Sequence, residues 1–496
     1  MKKRLIPLFF LLVVYSFGQR ISGTVFLDEN KNGTLNRTEK GLPNILISNG
    51  KDIVVSDSNG AYTINAIPGN LVFVIKPSGY ISELNELNIV QSYFHPLKEN
   101  IKDYDFALYA HTENKKTKVA LLGDVQVDVI DDVHHVGKLV TEELVYNRPD
   151  FIMPLGDLSF DNLEIFDPLA AVLGLVGCPV FYVIGNHDLN FEATTLSERD
   201  ASFEAKFGPS YYAFEYGDNL FLVLNNIRPL PEGKYKAQID SDQLEFIKNL
   251  IALKKDKYKA INIAMHIPFN EVNNKDALLK LLRPFDDVFI SAGHTHTQYH
   301  NYYKRALQKT AIHELVCGAV CGSWWQGSHD LRGIPFSIMH DGTPKGYWFM
   351  NVDGDKRELQ YKVSGAPATK QINIWVPEVN EWDKSLNELN EPFVYANVFA
   401  ADENTEVEIN FGDNQWLPMD KYEGVAPELK RLYKLQVLGR YKGQPISAFP
   451  ETVKNSKHLW RMAIPENMKE GAHLIQVRAT NSNLLLNVWE SSVLWR

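Results

Sequence analysis

Between Arg20 and Ala110 the apolar residues come in short runs, Ile21–Phe26, Ile45–Ile47, Ile53–Val55, Ala61–Ile64 and Leu71–Ile75, parted by Gly, Asn, Asp and Pro. Runs this short between turn residues predict a small β-sandwich over residues 19–110. The polar stretch His111–Lys116 reads as a linker. From Thr117 the pattern changes. Strand-like runs at Val119–Leu122, Phe151–Leu155, Val180–Ile184, Leu220–Leu224, Ile261–Met265 and Val288–Ala292 alternate with helically spaced segments at Asp132–Tyr146, Leu163–Leu175, Asp242–Leu253 and Ala277–Leu282. That alternation predicts an α/β layered domain over residues 117–365. Beyond Ala368 short strands return at Ile372–Val376, Phe393–Val398, Thr405–Ile409 and Leu474–Val477, predicting a second β-sandwich over residues 369–496.

The first residues follow another rule. Lys2, Lys3 and Arg4 precede the apolar run Leu5–Tyr15, and Ser16 and Gly18 place small residues where a signal peptidase reads. A signal peptide over residues 1–18 is expected, with an exported product, periplasmic or secreted. No later run is long and apolar enough for a membrane span. A net charge of -10 argues against a nucleic-acid polymer or an anionic membrane as partner. A small phosphorylated substrate remains compatible, because metal ions can supply positive charge locally. The 3 cysteines are too few for a disulfide framework. Cys317 and Cys321 could pair or lie buried as thiols, and Cys178 reads as a core residue.

The chemistry-bearing residues sit at the C-terminal ends of the middle-domain strands, where open α/β sheets place their ligands. Asp124 and Gln126 follow the first strand and share a face in extended backbone. Asp157 ends the second strand, and Asn186, His187 and Asp188 follow the third after Gly185. His266 ends Ile261–Met265, and His294 and His296 follow the next strand within Gly293-His294-Thr295-His296. Carboxylate and amide oxygens mixed with imidazole nitrogens suit ions such as Mn, Fe or Zn. Asp124, Gln126, Asp157, Asn186, His266, His294 and His296 are too many for one tetrahedral ion and divide between two if Asp157 bridges them.

Residues 117–350 resemble the calcineurin-like metallophosphoesterases, whose blocks run Asp-x-His, Gly-Asp, Gly-Asn-His-Asp/Glu, a lone His and Gly-His-x-His. Every block is present in order, with Gln126 where His is commoner. The resemblance implies a β-sandwich core flanked by helices. It implies Asp124, Gln126, Asp157 and His296 on one ion, and Asp157, Asn186, His266 and His294 on the other. The activity implied is hydrolysis of a phosphomonoester or phosphodiester by in-line attack of a metal-bound hydroxide. His187 would contact the phosphate or protonate the leaving oxygen, with Asp188 fixing its orientation. A Gln carbonyl shifts the expected ion toward Mn or Mg. The run through Gly346-Tyr347 is similar to an exported bacterial branch with β domains on both sides. Two alternatives stand beside this reading. Some Gln-bearing relatives cleave the pyrophosphate of nucleotide-diphosphate derivatives, and a non-catalytic exported binding protein would keep only the β modules in use. Relics of the latter kind usually lose a ligand, and this chain keeps all of them.

Two further features carry expectations. Trp324, Trp325 and Asp341 could shape a substrate pocket, the indoles stacking a base or sugar. The other reading has the Trp pair sealing the contact with a flanking β domain. Asp28 to Glu39 fits the twelve-position calcium loop, with oxygens from Asp28, Asn30, Asn32, the Thr34 carbonyl, Asn36 and Glu39 and a turn at Gly33. Strands rather than helices flank it, so calcium there would stiffen the domain.

Overall fold

The structure, a computed structural model, describes residues 20–67, 69–89, 93–98, 101–306, 308, 310–327, 329–439 and 453–496. The expected signal peptide lies outside the described residues. In the N-terminal domain, Arg20–Leu27 pairs antiparallel with Ala61–Asn65 and parallel with Phe106–Ala110. A second sheet runs in the order Ile53–Val55, Leu46–Ser48, Leu71–Ile75, Phe94–Pro96. The unbroken apolar run Leu71–Ile75 has a physical reason, since each of its faces enters a different core. Val72 and Val74 pack inside the N-terminal domain, whereas Leu71, Phe73 and Ile75 pack with Leu220, Leu222 and Phe246 of the middle domain.

The polar linker is pinned in place. Lys76 and Glu113 form an ion pair with both side chains only 2% exposed. Glu113 accepts from the backbone N–H of Gly79 (3.0 Å) and Gly217 (2.8 Å), and Lys76 Nζ donates to the Glu215 carbonyl at 2.8 Å. One buried carboxylate thus ties the linker to the domains on both sides of it.

The middle domain is two sheets packed face to face. One runs Phe151–Pro154, Thr117–Leu122, Gly346–Asp353, Lys356–Val363. The other runs Tyr212–Tyr216, Asn219–Val223, Ala260–Ala264, Asp287–Ala292, Ile312–Cys317, Gln298–Tyr303. Val119, Leu121, Phe151 and Met153 meet Phe221, Val223, Phe289 and Leu315 between them. Helical segments from Ile130 to Asn147 and at Phe166–Gly174 cover the outer face of the first sheet. Ser241–Lys254 and Lys275–Leu281 cover the second. The expected strand Val180–Ile184 is extended but makes only isolated parallel bridges, Ile152 with Val180 and Leu155 with Val183. Pro154 is the cause. It accepts from Val183 N–H at 3.1 Å but has no N–H to donate back, so the ladder is interrupted.

The C-terminal domain is a sandwich of two four-stranded sheets, and its core is continuous with that of the middle domain. Trp348 and Tyr361 share one apolar cluster with Phe399, Ile372 and Ile475. Among the described residues no helix is long and apolar enough to cross a membrane. Cys178, Cys317 and Cys321 are unpaired and buried. Replacing Lys76 by Met leaves the Glu113 carboxylate buried without its counter-charge, which should lower unfolding free energy by about 3–5 kcal/mol. Denaturant unfolding of K76M and of K76M/E113Q checks this. The double variant should recover most of the loss, and an unchanged midpoint in K76M would contradict the assignment.

Candidate metal centre

The strand ends turn sharply before they deliver their side chains. Asp124 (φ 33°), Gln126 (39°), Asp157 (46°), His294 (73°) and His296 (50°) all adopt left-handed backbone, although none is glycine. Each such residue costs roughly 1–3 kcal/mol, and that cost persists only where surrounding bonds over-determine the loop. Here the loops latch onto one another. The Asp124 carboxylate accepts from His294 N–H at 2.8 and 3.0 Å, Gln126 N–H donates to the Asp157 carbonyl at 2.8 Å, and Asp157 Oδ1 accepts from His187 N–H at 3.0 Å. The motif glycines make the latching possible by close approach. A Cβ on Gly185 would lie 1.9 Å from Asp157 N, and one on Gly293 would lie 2.5 Å from the Asp124 carboxylate.

The side chains converge on one another. His266 Nδ1–H donates to the Leu155 carbonyl at 2.8 Å, which leaves a lone pair on Nε2. That Nε2 faces Asp157 Oδ2 at 3.1 Å, Asn186 Oδ1 at 3.2 Å and His294 Nδ1 at 3.2 Å. His296 Nδ1–H likewise donates to the Gly322 carbonyl at 2.8 Å and turns its Nε2 toward Asp124 Oδ1 at 3.5 Å. Acceptor atoms facing one another repel unless a positive charge sits among them. Ligating atoms of Asp157, His266 and His294 all lie within 4.8 Å of one another, the spacing a cation needs. The donor set therefore fits divalent ions.

The titration behaviour of the unmetallated cluster says the same. Burial pushes the His266 imidazole down, but the charge and hydrogen bond of Asp157 outweigh it and raise its pKa to about 9. Burial works against the Asp157 carboxylate too, yet the His266 imidazolium holds it below the usual carboxylate range. Burial and the neighbouring His266 charge lower His294 to about 3, and burial chiefly lowers His296 to about 4. One proton thus stands in for cationic charge, and the remaining imidazoles stay neutral, the form that ligates metal.

His187 is next to the cluster, and its partner is not the one expected. Its Nδ1–H donates to Asp161 Oδ1 at 2.9 Å, and its ring stacks on Phe160 with centroids 4.7 Å apart. Asp188 makes no contact with the ring. Its carboxylate, fully buried, accepts from the backbone N–H of Leu158 (2.8 Å), Ser159 (2.9 Å) and Gly185 (2.8 Å). It staples the Asp157 loop to the Asn186 loop and is a positioning residue rather than an orienter of His187. Asp161 was missed because the sequence motif was read only to Asp157, four residues earlier.

The candidate pocket residues are corrected as well. Trp325 is buried and donates Nε1–H to the Val125 carbonyl at 3.0 Å. Trp324 donates to the Gln126 carbonyl at 3.2 Å and packs on Phe160 at 4.1 Å. Both brace the Asp124–Gln126 loop within the middle domain, Trp325 buried and Trp324 half-exposed beside Phe160. Asp341 is 1% exposed and accepts from Gln298 N–H (2.7 Å), Thr343 N–H (2.9 Å) and His458 Nε2 (3.3 Å). It joins the middle domain to the C-terminal one.

In the N-terminal loop, Asp28 is buried and accepts from Asn32 N–H (3.2 Å) and Gly33 N–H (2.8 Å). Asn30 and Asn32 accept from Asn32 and Thr34 N–H, and Asn36 accepts from Thr38 N–H at 3.0 Å. Glu39 Oε2 accepts from Asn36 N–H at 3.0 Å, while its Oε1 is shielded from water and has no hydrogen-bond partner. Changing Asp188 to Asn would point an amide at backbone N–H donors. That should cost about 1–3 kcal/mol of stability and weaken metal binding. Thermal melting together with metal titration checks this, and an unaltered melting temperature would contradict the stapling role.

Three family models match the chain in order. The N terminal of calcineurin-like phosphoesterase matches residues 29–111, calcineurin-like phosphoesterase itself 117–298, and the C terminal of calcineurin-like phosphoesterase 314–483. No curated protein matches. Among solved structures, a dimetal phosphatase from Danio rerio aligns over 51% of this chain and 100% of its own, at 14% identity and a TM-score of 0.37. With the matched models spanning all three domains in order, the chain belongs to the calcineurin-like phosphoesterases and is a metal-dependent phosphoester hydrolase.

Proposed function

We propose that this hydrolase cleaves phosphomonoesters or phosphodiesters of small molecules at a binuclear centre. Asp124, Gln126, Asp157 and His296 would hold one ion, and Asp157, Asn186, His266 and His294 the other. The observation that carries this reading is the ring of acceptor atoms around His266 Nε2, at 3.1–3.2 Å from Asp157, Asn186 and His294. Bound there, two ions would supply Lewis-acid charge for the phosphoryl oxygens and acidify a water. The chain's own residues do the rest. Asp161 and Phe160 hold the His187 ring so that Nε2 is the free nitrogen. Protonated, Nε2 donates to a phosphoryl oxygen or passes its proton to the departing alkoxide, and solvent returns the proton afterwards.

The pyrophosphate reading is supported by Gln126 and by the half-exposed Trp324, whose N–H bond to the Gln126 carbonyl leaves its ring face available for stacking beside Phe160. Export is supported by Lys2, Lys3 and Arg4 ahead of Leu5–Tyr15, and would place the enzyme in the periplasm or medium. The Asp28–Glu39 loop is read as a structural calcium site, supported by its carboxylate and amide spacing and the unpartnered Glu39 oxygen.

Hydrolysis of p-nitrophenyl phosphate and its bis ester should be abolished by chelator and restored by Mn. Asp157→Ala should lose more than about a hundredfold in kcat/KM. Full activity in that variant would remove the reading. In Gln126→His, the metal giving highest activity should move from Mn toward Zn, since imidazole suits Zn better than an amide oxygen does. An identical metal profile would show that Gln126 does not ligate. Calcium should raise the melting temperature of the wild type and leave that of Asp28→Ala unchanged. An equal rise in both would exclude the loop as the site.

A further inference from the structure

Resting on the proposed phosphoesterase reading, the geometry points to a substrate class: single phosphoesters whose leaving alcohol is cationic or uncharged, with alcohols bearing further negative charge disfavoured. A cleft of about 830 Å³ opens beside the metal ligands, with Asn186 and His187 on its inner wall. With His187 taken as the group that passes its proton to the departing alkoxide, the alcohol lies in this cleft. Its outer wall combines the Phe191 and Tyr235 rings with the carboxylates of Asp161, Glu164 and Glu192. The Tyr235 ring stands edge-on to His294 at 6.3 Å, which sets this wall beside the metal ligands.

The charge of that wall is one-sided. No Lys or Arg lines the cleft among the described residues, and no salt bridge neutralises Glu164 or Glu192. Asp161 is partnered by His187. Of the cations nearest in sequence, Lys234 pairs with Glu232, while Arg199, which donates to the Asn190 carbonyl and lies over the Phe191 ring, brings one positive charge beside the wall without lining the cleft. Beyond His187, a second phosphate or a carboxylate on the alcohol would meet three carboxylates against the single guanidinium of Arg199. An ammonium group would meet carboxylates and aromatic faces, both of which attract it. Lys454 donates to the Thr295 carbonyl at 3.2 Å and is not among the residues lining the cleft.

The test pairs binding with turnover in the Mn-loaded full chain. Calorimetry compares three inert ligands of similar size, 2-aminoethylphosphonate, propylphosphonate and 3-phosphonopropionate. The expected order of affinity is cation first, neutral next and anion last, with the ends separated by roughly three- to tenfold at low salt. In E164K/E192K the order should compress or invert. Turnover of ethanolamine phosphate, propyl phosphate and 3-phosphonooxypropionate, all esters of aliphatic alcohols, should follow the same sequence and the same change. Equal or tighter binding of the carboxylate ligand in the wild type, or an unchanged order in E164K/E192K, overturns the specificity while leaving phosphoester hydrolysis intact. If no ester turns over and no phosphonate binds, the phosphoesterase reading of this site fails and takes the specificity with it.

Discussion

Lone pairs from separate strand ends point at one another across little more than 3 Å in the middle of this protein, and that arrangement is stable only with positive charge at its centre. His266 shows the constraint most plainly. Its Nδ1–H is committed to the Leu155 carbonyl, so its Nε2 is the atom that takes up a proton or an ion, and it faces a carboxylate, an amide oxygen and a second imidazole. Left-handed backbone at Asp124, Gln126, Asp157, His294 and His296 is the cost of that convergence. The bonds between loops, from the Asp124 carboxylate to His294 N–H and from Asp188 to three backbone donors, keep the loops from relaxing away.

The flanking domains act on the same site from outside. In the C-terminal domain, His458 reaches Asp341, and the Phe399 carbonyl accepts from Gln298 at 2.6 Å, two residues after His296. Lys454 touches Thr295, between the two histidines of the Gly-His-Thr-His loop. The N-terminal domain is tied in by the buried Lys76–Glu113 pair, itself anchored to the Glu215 backbone. These contacts make the three domains one mechanical support for the metal loops. The chain does not behave as a catalytic unit with loose appendages.

Much of this was legible in the residues. Alternation of strand and helix after Thr117 and the return to short strands after Ala368 gave the three-part layout, because hydrophobic periodicity reports burial directly. The proposed ligands stood out because each follows an apolar run, most beside a motif glycine, and the structure draws Asp157, His266 and His294 together. What periodicity could not show is who touches whom. Asp188 sits beside His187 in sequence but serves the backbone of another loop, while Asp161 reaches His187 across the turn. Trp324, Trp325 and Asp341 drew attention as polar-tipped or charged residues near the site. Their N–H groups and carboxylate turned out to be satisfied internally, which only long-range geometry reveals. The Val180–Ile184 ladder failed for a local reason on its partner strand, the missing N–H of Pro154.

The convergent acceptors are proposed to form a two-ion site bridged by Asp157. Anomalous diffraction from crystals grown with Mn tests it most directly. Two peaks flanking the Asp157 carboxylate, one beside Asp124, Gln126 and His296 and the other beside Asn186, His266 and His294, are predicted. A single peak away from Asp157, or none at Mn concentrations that support hydrolysis, would contradict the account.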